Sequence, residues 1–272
     1  AFDVTDNFEI QWDNKDPKEL GLVIELAILE MKIRPNNTTF TIDTAEFYFK
    51  NKKIGIGSSA AISSALINAI DSYFLIKSKT SLIVDKAIRL HKKKQNNLGS
   101  GLDIITSIAD SRLIECNING ATNRTWKKHQ WPSNLLIKGV LTNRESLTTK
   151  MIEKYNQGHL LNKEFFETLK SDADKVLEDL SMSWAEKNTE SILRCMEDYN
   201  IIMRRLNERY SLGIYTDEHQ TLLDLANKFE IFYKPSGAGG GDLGFILTDN
   251  QSKFKKFNNL LIENNFQTID LI

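Results

Sequence analysis

The sequence has few cysteines and prolines, no excess of either charge, and no long apolar run. Its 272 residues include only two cysteines, Cys116 and Cys195, which stand far apart. That pattern excludes a disulfide framework and a zinc site, so we expect a reducing, cytoplasmic compartment. No apolar run approaches the roughly 20 residues that span a bilayer, and we therefore expect no membrane partner.

The charges are balanced, with 35 basic and 36 acidic residues and a net charge of −1. Proteins that bind nucleic acid through its phosphates usually carry a large basic excess, so we expect no nucleic-acid partner. The apolar fraction of 41% is that of a globular chain and excludes disorder as its main state. With four prolines and no Pro/Gly/Ser-rich stretch, the sequence contains no evident linker.

Hydrophobic spacing indicates strands, then helices, then strands, which is typical of an α+β protein. Helices are predicted over residues 17–33, 58–76, 81–94, 103–111, two or three segments of 145–210, 216–229 and 252–265. Strands are predicted over residues 38–42 and 45–50, paired with each other, and over 113–117, 135–142, 231–233, 244–248 and 266–272. Thr216 is expected to cap the helix that follows it.

A first glycine-rich element, Gly55-Ile56-Gly57-Ser58-Ser59-Ala60-Ala61, stands at the start of a predicted helix. Glycine lets the backbone approach a ligand closely, and the free amide groups of a helix N-terminus attract anions. Ser58 or Ser59 is the expected N-cap, and both hydroxyls suit a phosphate or a metal ion. The spacing is not that of a Walker A motif. Alternatively, the small residues only allow close packing of the helix on a sheet.

A second element, Lys234-Pro235-Ser236-Gly237-Ala238-Gly239-Gly240-Gly241-Asp242, lies between two apolar strands. So many glycines lose much backbone entropy on folding, which favours a loop that must adopt left-handed conformations or contact a ligand. The alternative is a flexible hairpin tip. No helix follows the run, so it does not fit the dinucleotide-binding pattern.

A third element, Gly99-Ser100-Gly101-Leu102-Asp103, lies between the first two. Asp103 is either an N-cap or a carboxylate presented to a site. His91 lies shortly before it, and both a motif role and a packing role are open for this residue. The other three histidines, His129, His159 and His219, are expected to be exposed and without a special role.

Taken together and in this order, the three elements resemble the GHMP kinase superfamily, and within it the phosphomevalonate kinases. Residues 55–61 resemble its second motif and residues 234–242 its third. Residues 91–103 resemble the His…Gly-Ser-Gly-x-Asp segment of these kinases, and residues 140–150 resemble their strand and Ser/Thr-rich turn before the C-terminal helices. The family's first motif, a Pro-Gly-Lys segment, is absent. We therefore expect N-terminal strands upstream of Ala1.

The resemblance implies a two-lobed α+β fold. Its N-terminal lobe, similar to ribosomal protein S5, would comprise residues 1–134 and carry the ATP-binding motif. Its helical C-terminal lobe with a ferredoxin-like core would comprise residues 135–272 and carry the glycine-rich motif. The expected partner is a small phosphorylated acid. A homodimer is one possible assembly.

The implied activity is the transfer of the γ-phosphoryl group of ATP, with Mg²⁺, to 5-phosphomevalonate in isoprenoid synthesis. Asp103 would be the catalytic residue. The implied ATP-binding residues are Lys53, Gly55, Gly57, Ser58, Ser59 and Ala60, with Ser58 and Ser59 also the metal ligands. The implied substrate-binding residues are Ser100, Ser146, Thr149, Lys150, Ser236, Gly237, Ala238, Gly239 and Gly240.

Three alternatives stay open. They are a GHMP kinase for mevalonate or a sugar, a decarboxylase of the same superfamily, and a non-catalytic nucleotide-binding relative. Mevalonate kinases carry a metal-binding glutamate upstream of the aspartate, and no glutamate occurs between Val84 and Asp103. In the favoured interpretation, residues 55–61, 103 and 236–241 converge on one triphosphate.

Overall fold

The fold is described from a computed structural model of the 272-residue chain. It describes residues 8–12, 17–35, 38–49, 52–94, 100–109, 113–119, 123–142, 144, 146 and 148–271. The chain forms two compact units, residues 1–128 and 129–272. The expected lobes with a boundary at residues 134 and 135, and the role assigned to each, stay a prediction.

The first unit contains four helices and three pairs of strands among its described residues. In chain order they are β1 (Phe8–Trp12), α1 (Pro17–Met31), β2 (Thr38–Ile42), a 3-10 turn (Ala45–Phe47), β3 (Tyr48–Phe49), β4 (Lys52–Lys53), α2 (Ser58–Tyr73), α3 (Thr80–Lys94), α4 (Leu102–Ala109), β5 (Ile114–Asn119) and β6 (Asn123–Lys128). The predicted helices all appear, each within a few residues of its expected ends.

The predicted pairing of 38–42 with 45–50 is wrong. Strand β2 pairs in parallel with β1 across helix α1, and the segment after it forms a 3-10 turn and then the short antiparallel pair of β3 and β4. Apolar alternation identifies a strand but does not identify its partner. Here helix α1 separates the two paired strands in the sequence. Strand β6, which pairs antiparallel with β5, was not predicted.

Helices α1 to α4 enclose the core of the first unit. Ile24, Ala27, Ile67, Ala87 and Ile104 are among its fully buried side chains. Each helix turns one apolar stripe inward, because residues three and four apart lie on the same face. Helix α4 packs on α2, so the short segment that carries Asp103 is anchored to the helix that follows the first glycine-rich element.

The second unit contains a four-stranded antiparallel sheet and five helices among its described residues. In chain order they are β7 (Leu136–Leu141), α5 (Thr148–Leu161), α6 (Lys163–Glu186), α7 (Thr189–Tyr210), α8 (Asp217–Lys228), β8 (Phe232–Pro235), β9 (Leu243–Thr248), α9 (Gln251–Glu263) and β10 (Gln267–Ile269). The order across the sheet is β10-β7-β9-β8. This order and the βαββαβ succession are those of a ferredoxin-like core, as expected.

The core of the second unit lies between this sheet and helices α8 and α9. Val140, Leu222, Ile246 and Phe257 are fully buried there. Thr216 accepts a hydrogen bond from the backbone N–H of His219, which confirms the predicted cap of α8. None of the helices in the described ranges combines the length and the hydrophobicity that crossing a bilayer requires.

Candidate active site

Helix α2 begins at Ser58, and Gly57 is its N-cap residue. No side chain makes a capping hydrogen bond at this end of the helix. Gly57 has a φ of 80°, in the left-handed region that favours glycine. The prediction of Ser58 or Ser59 as N-cap is therefore wrong. The left-handed conformation of Gly57 places the N-cap one residue before Ser58. An added Cβ at Gly57 would meet nothing within 4 Å, so open space lies in front of this position.

The first turn of α2 keeps hydrogen-bonding groups available. The backbone N–H groups of Ala60 and Ala61 both bond to the carbonyl of Gly57, and no described residue accepts from those of Ser58 and Ser59. The Ser59 hydroxyl is buried and also has no partner among the described residues. Buried polar atoms are rarely left unpaired, so this arrangement fits a polar ligand at the helix N-terminus.

The remaining predicted ATP-binding residues lie beside this turn. Gly55 is half-buried and has a φ of 74°, and Ala60 is buried in the core of the first unit. Lys53 belongs to strand β4, and its side chain lies outside the described part of the structure.

Asp103 is the second residue of helix α4 and is exposed. The N-cap interpretation is therefore wrong. Its carboxylate accepts a hydrogen bond from the N–H of Ile104 at 3.0 Å, while the hydroxyl of the exposed Ser100 accepts from Leu102. Ile104 is buried against α2 and fixes the start of the helix, which leaves the Asp103 carboxylate on the surface of the first unit.

The second glycine-rich element forms an ordered loop between β8 and β9. Gly239 N–H donates to Ser236, and Gly240 N–H donates to Ile214 at 2.9 Å. The Ser146 hydroxyl donates to the carbonyl of Gly239 at 2.6 Å. The flexible-tip alternative does not fit these contacts, since Ser146 and Ile214, from two other segments of the second unit, hold the loop.

Several carbonyl groups of the loop accept hydrogen bonds, and some of its amide groups have no described acceptor. The carbonyls of Gly239, Gly241 and Asp242 lie within hydrogen-bond distance of donors from Ser146, His219 and Thr142. Gly237 and Ala238 are exposed residues, and no described residue accepts a hydrogen bond from their amide groups. Exposed amide groups in a glycine-rich turn form a concavity suited to an anion.

A basic pocket of about 350 Å³ adjoins this loop. Arg144, Lys150 and Lys154 line it together with Gly240. Arg144 pairs with Glu218 at 3.4 Å, and the Lys154 amine donates to the carbonyl of Ser211. In the described part of the chain nothing accepts a hydrogen bond from the side-chain amine of the exposed Lys150, which is thus available for an anionic ligand. Arg144 and Lys154 were not predicted as site residues, although Arg144 lies within the motif-like segment 140–150.

His219 lies directly behind the loop and is completely buried. Its Nδ1 lies 2.6 Å from the Tyr233 hydroxyl and its Nε2 lies 3.2 Å from the carbonyl of Gly241. The predicted exposure of His219 and of the buried His129 is wrong, and His159 is half-buried. His219 is spaced with Leu222, Leu223 and Ala226 as the residues of one helix face are. This spacing could have predicted that His219 is buried.

Burial lowers the pKa of His219 to about 4, from an ordinary value of 6.5. The hydrogen bond to Gly241 and the Glu218 carboxylate raise this pKa, whereas Lys234 and Arg144 lower it. His91 is buried as well, which supports its packing role.

Protein stability is expected to fall as the pH falls from 6.5 towards 4. In this range the unfolded chain binds a proton at His219 that the folded chain does not, so stability present above pH 6.5 is lost. The slope for one group is about 1.4 kcal/mol per pH unit. Urea unfolding between pH 4 and 8 measures it. The variant His219→Gln should have a shallower slope, and an equal slope would contradict the assignment.

Lys234 also lies in this region, and burial lowers the pKa of its amine to about 8. The amine donates to the carbonyl of Pro235 at 2.9 Å and lies 5.9 Å from the centre of the Tyr199 ring. No described carboxylate pairs with it. The methylene groups of the Lys234 side chain therefore support the start of the loop by packing.

Among the predicted substrate-binding residues, the second unit brings Ser146 and Lys150 to the loop formed by Ser236, Gly237, Ala238, Gly239 and Gly240. Thr149 lies in α5, with its side chain outside the described residues. Ser100 lies in the first unit. No cluster of three or more His, Cys, Asp or Glu side chains suited to a metal ion occurs in the described ranges.

No protein-family model matches the chain. The curated phosphomevalonate kinase of Streptomyces sp. (strain CL190) is 24% identical over 224 residues, which are 73% of this chain and 58% of that protein. The chain thus spans less than two thirds of the length of this relative.

Solved structures resemble the chain over nearly its whole length. The phosphomevalonate kinase of Streptococcus pneumoniae, in complex with phosphomevalonate and AMPPNP, has a TM-score of 0.79 at 16% identity, covering 98% of this chain and 88% of that one. The mevalonate kinase of L. major, in complex with R-mevalonate, has a TM-score of 0.72 at 12% identity, covering 97% and 82%. The chain has the fold of the GHMP kinases.

This result confirms the predicted fold class. The chain is also similar to the structure of a Lin0012 protein from Listeria innocua, with a TM-score of 0.83 at 17% identity, covering 96% of this chain and 84% of that one. Because these identities are low, the likeness establishes the fold and not the substrate.

Proposed function

We propose that the chain is the catalytic part of an ATP-dependent kinase that phosphorylates a small phosphorylated acid, with 5-phosphomevalonate as its acceptor. One observation carries the choice of acceptor: the basic pocket of Arg144, Lys150 and Lys154 adjoins a glycine-rich loop with free amide groups. Two adjacent sets of anion-binding groups suit a molecule with two anionic ends. The curated Streptomyces relative and the Streptococcus pneumoniae structure, both named phosphomevalonate kinase, support the same choice.

We assign the ATP phosphates to the N-terminus of α2. The free amide groups of Ser58 and Ser59 and the partial positive charge of the helix end favour an anion there. The open space at Gly57 allows close approach, and the unpartnered hydroxyl of Ser59 supplies one more polar group. Nucleotide binding by a protein of this fold is described for Streptococcus pneumoniae phosphomevalonate kinase with AMPPNP.

Ser58 and Ser59 are also the proposed protein ligands of Mg²⁺. The oxygen of the Ser59 hydroxyl is buried without a described partner, which fits a hard cation that prefers oxygen. Mg²⁺ keeps several waters and binds chiefly through phosphates, so the lack of a cluster of carboxylates in the described residues does not conflict with it. Mg²⁺ would neutralise charge on the β- and γ-phosphates.

The reaction asks the protein mainly to position its substrates. An oxygen of the acceptor phosphate attacks the γ-phosphorus, the bond to the ADP oxygen breaks, and ADP leaves with the electron pair. A phosphate is largely ionised near neutral pH, since its second pKa is about 6, so a strong base is not required. Asp103 is assigned to orientation of the reacting groups, and Lys150 is assigned to the anionic acceptor as a flexible point charge.

Lys150→Gln is expected to raise the KM for phosphomevalonate by about tenfold or more and to leave the KM for ATP unchanged. The reason is that Lys150 is the basic group of the pocket without a described partner. Steady-state kinetics with each substrate varied in turn measures this split. Lys163→Gln, at the exposed start of α6, is the control. Equal KM values for Lys150→Gln and the wild type would contradict the assignment.

Mevalonate is the second candidate acceptor, favoured by the L. major mevalonate kinase fold. A coupled assay of ADP formation with phosphomevalonate, mevalonate, homoserine and a set of sugars distinguishes the candidates. We expect turnover with phosphomevalonate at least a hundredfold above the others, about 3 kcal/mol in transition-state binding. Turnover with another acceptor only would refute the substrate, and tight ATP binding without any turnover would indicate a non-catalytic relative.

A further inference from the structure

The imidazole of His219 joins helix α8 to the glycine-rich loop. It has no exposed surface, and its two nitrogens contact the Tyr233 hydroxyl and the carbonyl of Gly241. Tyr233, on β8, is also buried. A buried imidazole with both nitrogens engaged fixes the position of each partner more narrowly than apolar packing does.

The partners determine which nitrogen carries the proton. The carbonyl of Gly241 can only accept a hydrogen bond, so Nε2 is the donor. Burial keeps the ring neutral near pH 7, and Nδ1 is therefore an acceptor for the Tyr233 O–H. The charged and titratable groups that face the ring are Glu218 on α8, Lys234 on β8 and Arg144 in the turn after β7.

Asn200 and Tyr215 form a second set of polar contacts, which holds the backbone of Tyr233. Asn200 of α7 donates from its side-chain amide to the carbonyl of Tyr233, and its oxygen accepts from the Tyr215 hydroxyl. Asn200 is almost completely buried. Helices α7 and α8 thus both fix strand β8 next to the loop, and His219 is the member of this network that bonds to the loop itself.

We infer that His219 is a positioning residue for the glycine-rich loop. By donating from Nε2 to the carbonyl of Gly241, it holds the conformation in which the amide groups of Gly237 and Ala238 have no described acceptor. This inference rests on the proposed function for the meaning of those amide groups, which is the binding of the acceptor phosphate. The hydrogen bond itself does not depend on the identity of the substrate.

Two variants of His219 separate positioning from packing. The amide nitrogen of a Gln side chain lies about as far from the backbone as Nε2 of histidine and can donate to the carbonyl of Gly241. The side chain of Asn is too short to reach this carbonyl. Amide hydrogen exchange of a peptide covering residues 236–242 should be about tenfold faster in His219→Asn and within about threefold of wild type in His219→Gln. With phosphomevalonate, the KM of His219→Asn should rise about tenfold while the KM for ATP stays unchanged.

Leu222→Ala is the control, since Leu222 is fully buried on the same helix without contacting the loop by a hydrogen bond. It should lower the melting temperature and leave loop exchange and both KM values unchanged. Normal loop exchange in a folded His219→Asn, or equally fast exchange in Leu222→Ala, would overturn the inference.

Tyr233→Phe provides a second test if His219→Asn does not fold. It removes the O–H that holds the proton on Nε2, so loop exchange should increase by a smaller factor of about three. Unchanged exchange in this variant would also overturn the inference. Exchange is measured without substrate, so a lack of wild-type turnover with phosphomevalonate would refute the proposed function alone.

Discussion

Asp103→Asn is expected to lower turnover by about a hundredfold or more while the Kd for ATP changes less than about twofold. The carboxylate is exposed at the start of α4, next to the buried Ile104, so its removal should leave the core intact. A residue that orients the reacting groups acts mainly in the transition state, and its loss therefore appears in kcat. Pre-steady-state turnover and calorimetric titration with AMPPNP measure the two quantities.

Asp85→Asn is the matched control for this variant. Asp85 lies on α3 and is half-buried, and its carboxylate makes no hydrogen bond with any residue that the structure describes. The same chemical change there should leave turnover within about twofold. If Asp103→Asn retains wild-type turnover, Asp103 does not belong to the active site.

Gly239→Val is expected to destabilise the protein by about 3 kcal/mol or more and to abolish most of its activity. Gly239 has a φ of 75°, which a β-branched residue rarely adopts. A Cβ there would also lie 2.7 Å from the backbone carbonyl oxygen of Ile214, and backbone cannot yield as a flexible side chain can. Urea unfolding and the coupled assay measure the two effects.

Gly237→Val separates the steric contact from the backbone strain. Gly237 has a φ of 57°, but an added Cβ would meet nothing within 4 Å. This variant should lose only about 1–2 kcal/mol from the strained backbone. Equal losses of stability in the two variants would show that the contact with Ile214 contributes little to the order of the loop.

Local patterns were sufficient to predict most helices and the strand–loop–strand unit of the second glycine-rich element. The three helices between Thr148 and Tyr210 have long stripes of apolar residues, and Asn162 and Asn188 cap two of them. The run of glycines between apolar strands also predicted an ordered loop correctly, because its entropy cost requires compensating contacts.

Features that depend on distant partners could not be predicted. The parallel pairing of β2 with β1 is non-local, and β6 was missed because its sequence, Asn-Arg-Thr-Trp-Lys-Lys, has no apolar alternation. The N-cap of α2 was assigned to serine by general preference, whereas the left-handed turn at Gly57 decides it.

The candidate site was predicted only in part. Motif-like segments identified Lys150 and the loop, but Arg144 and Lys154 became site residues only through the shape of the pocket. His219 was wrongly expected to be exposed, although its spacing with Leu222, Leu223 and Ala226 places it on the apolar face of α8. Its role depends on the carbonyl of Gly241, which is 22 residues further along the chain.

A crystal structure of the protein with AMPPNP and phosphomevalonate tests the central claim most directly. We predict that phosphate oxygens of AMPPNP bond to the backbone amides of Ser58 and Ser59. We also predict that phosphomevalonate lies against Lys150 and the amides of Gly237 and Ala238. A nucleotide bound away from the start of α2, or an acceptor that contacts neither the basic pocket nor the loop, would contradict the account.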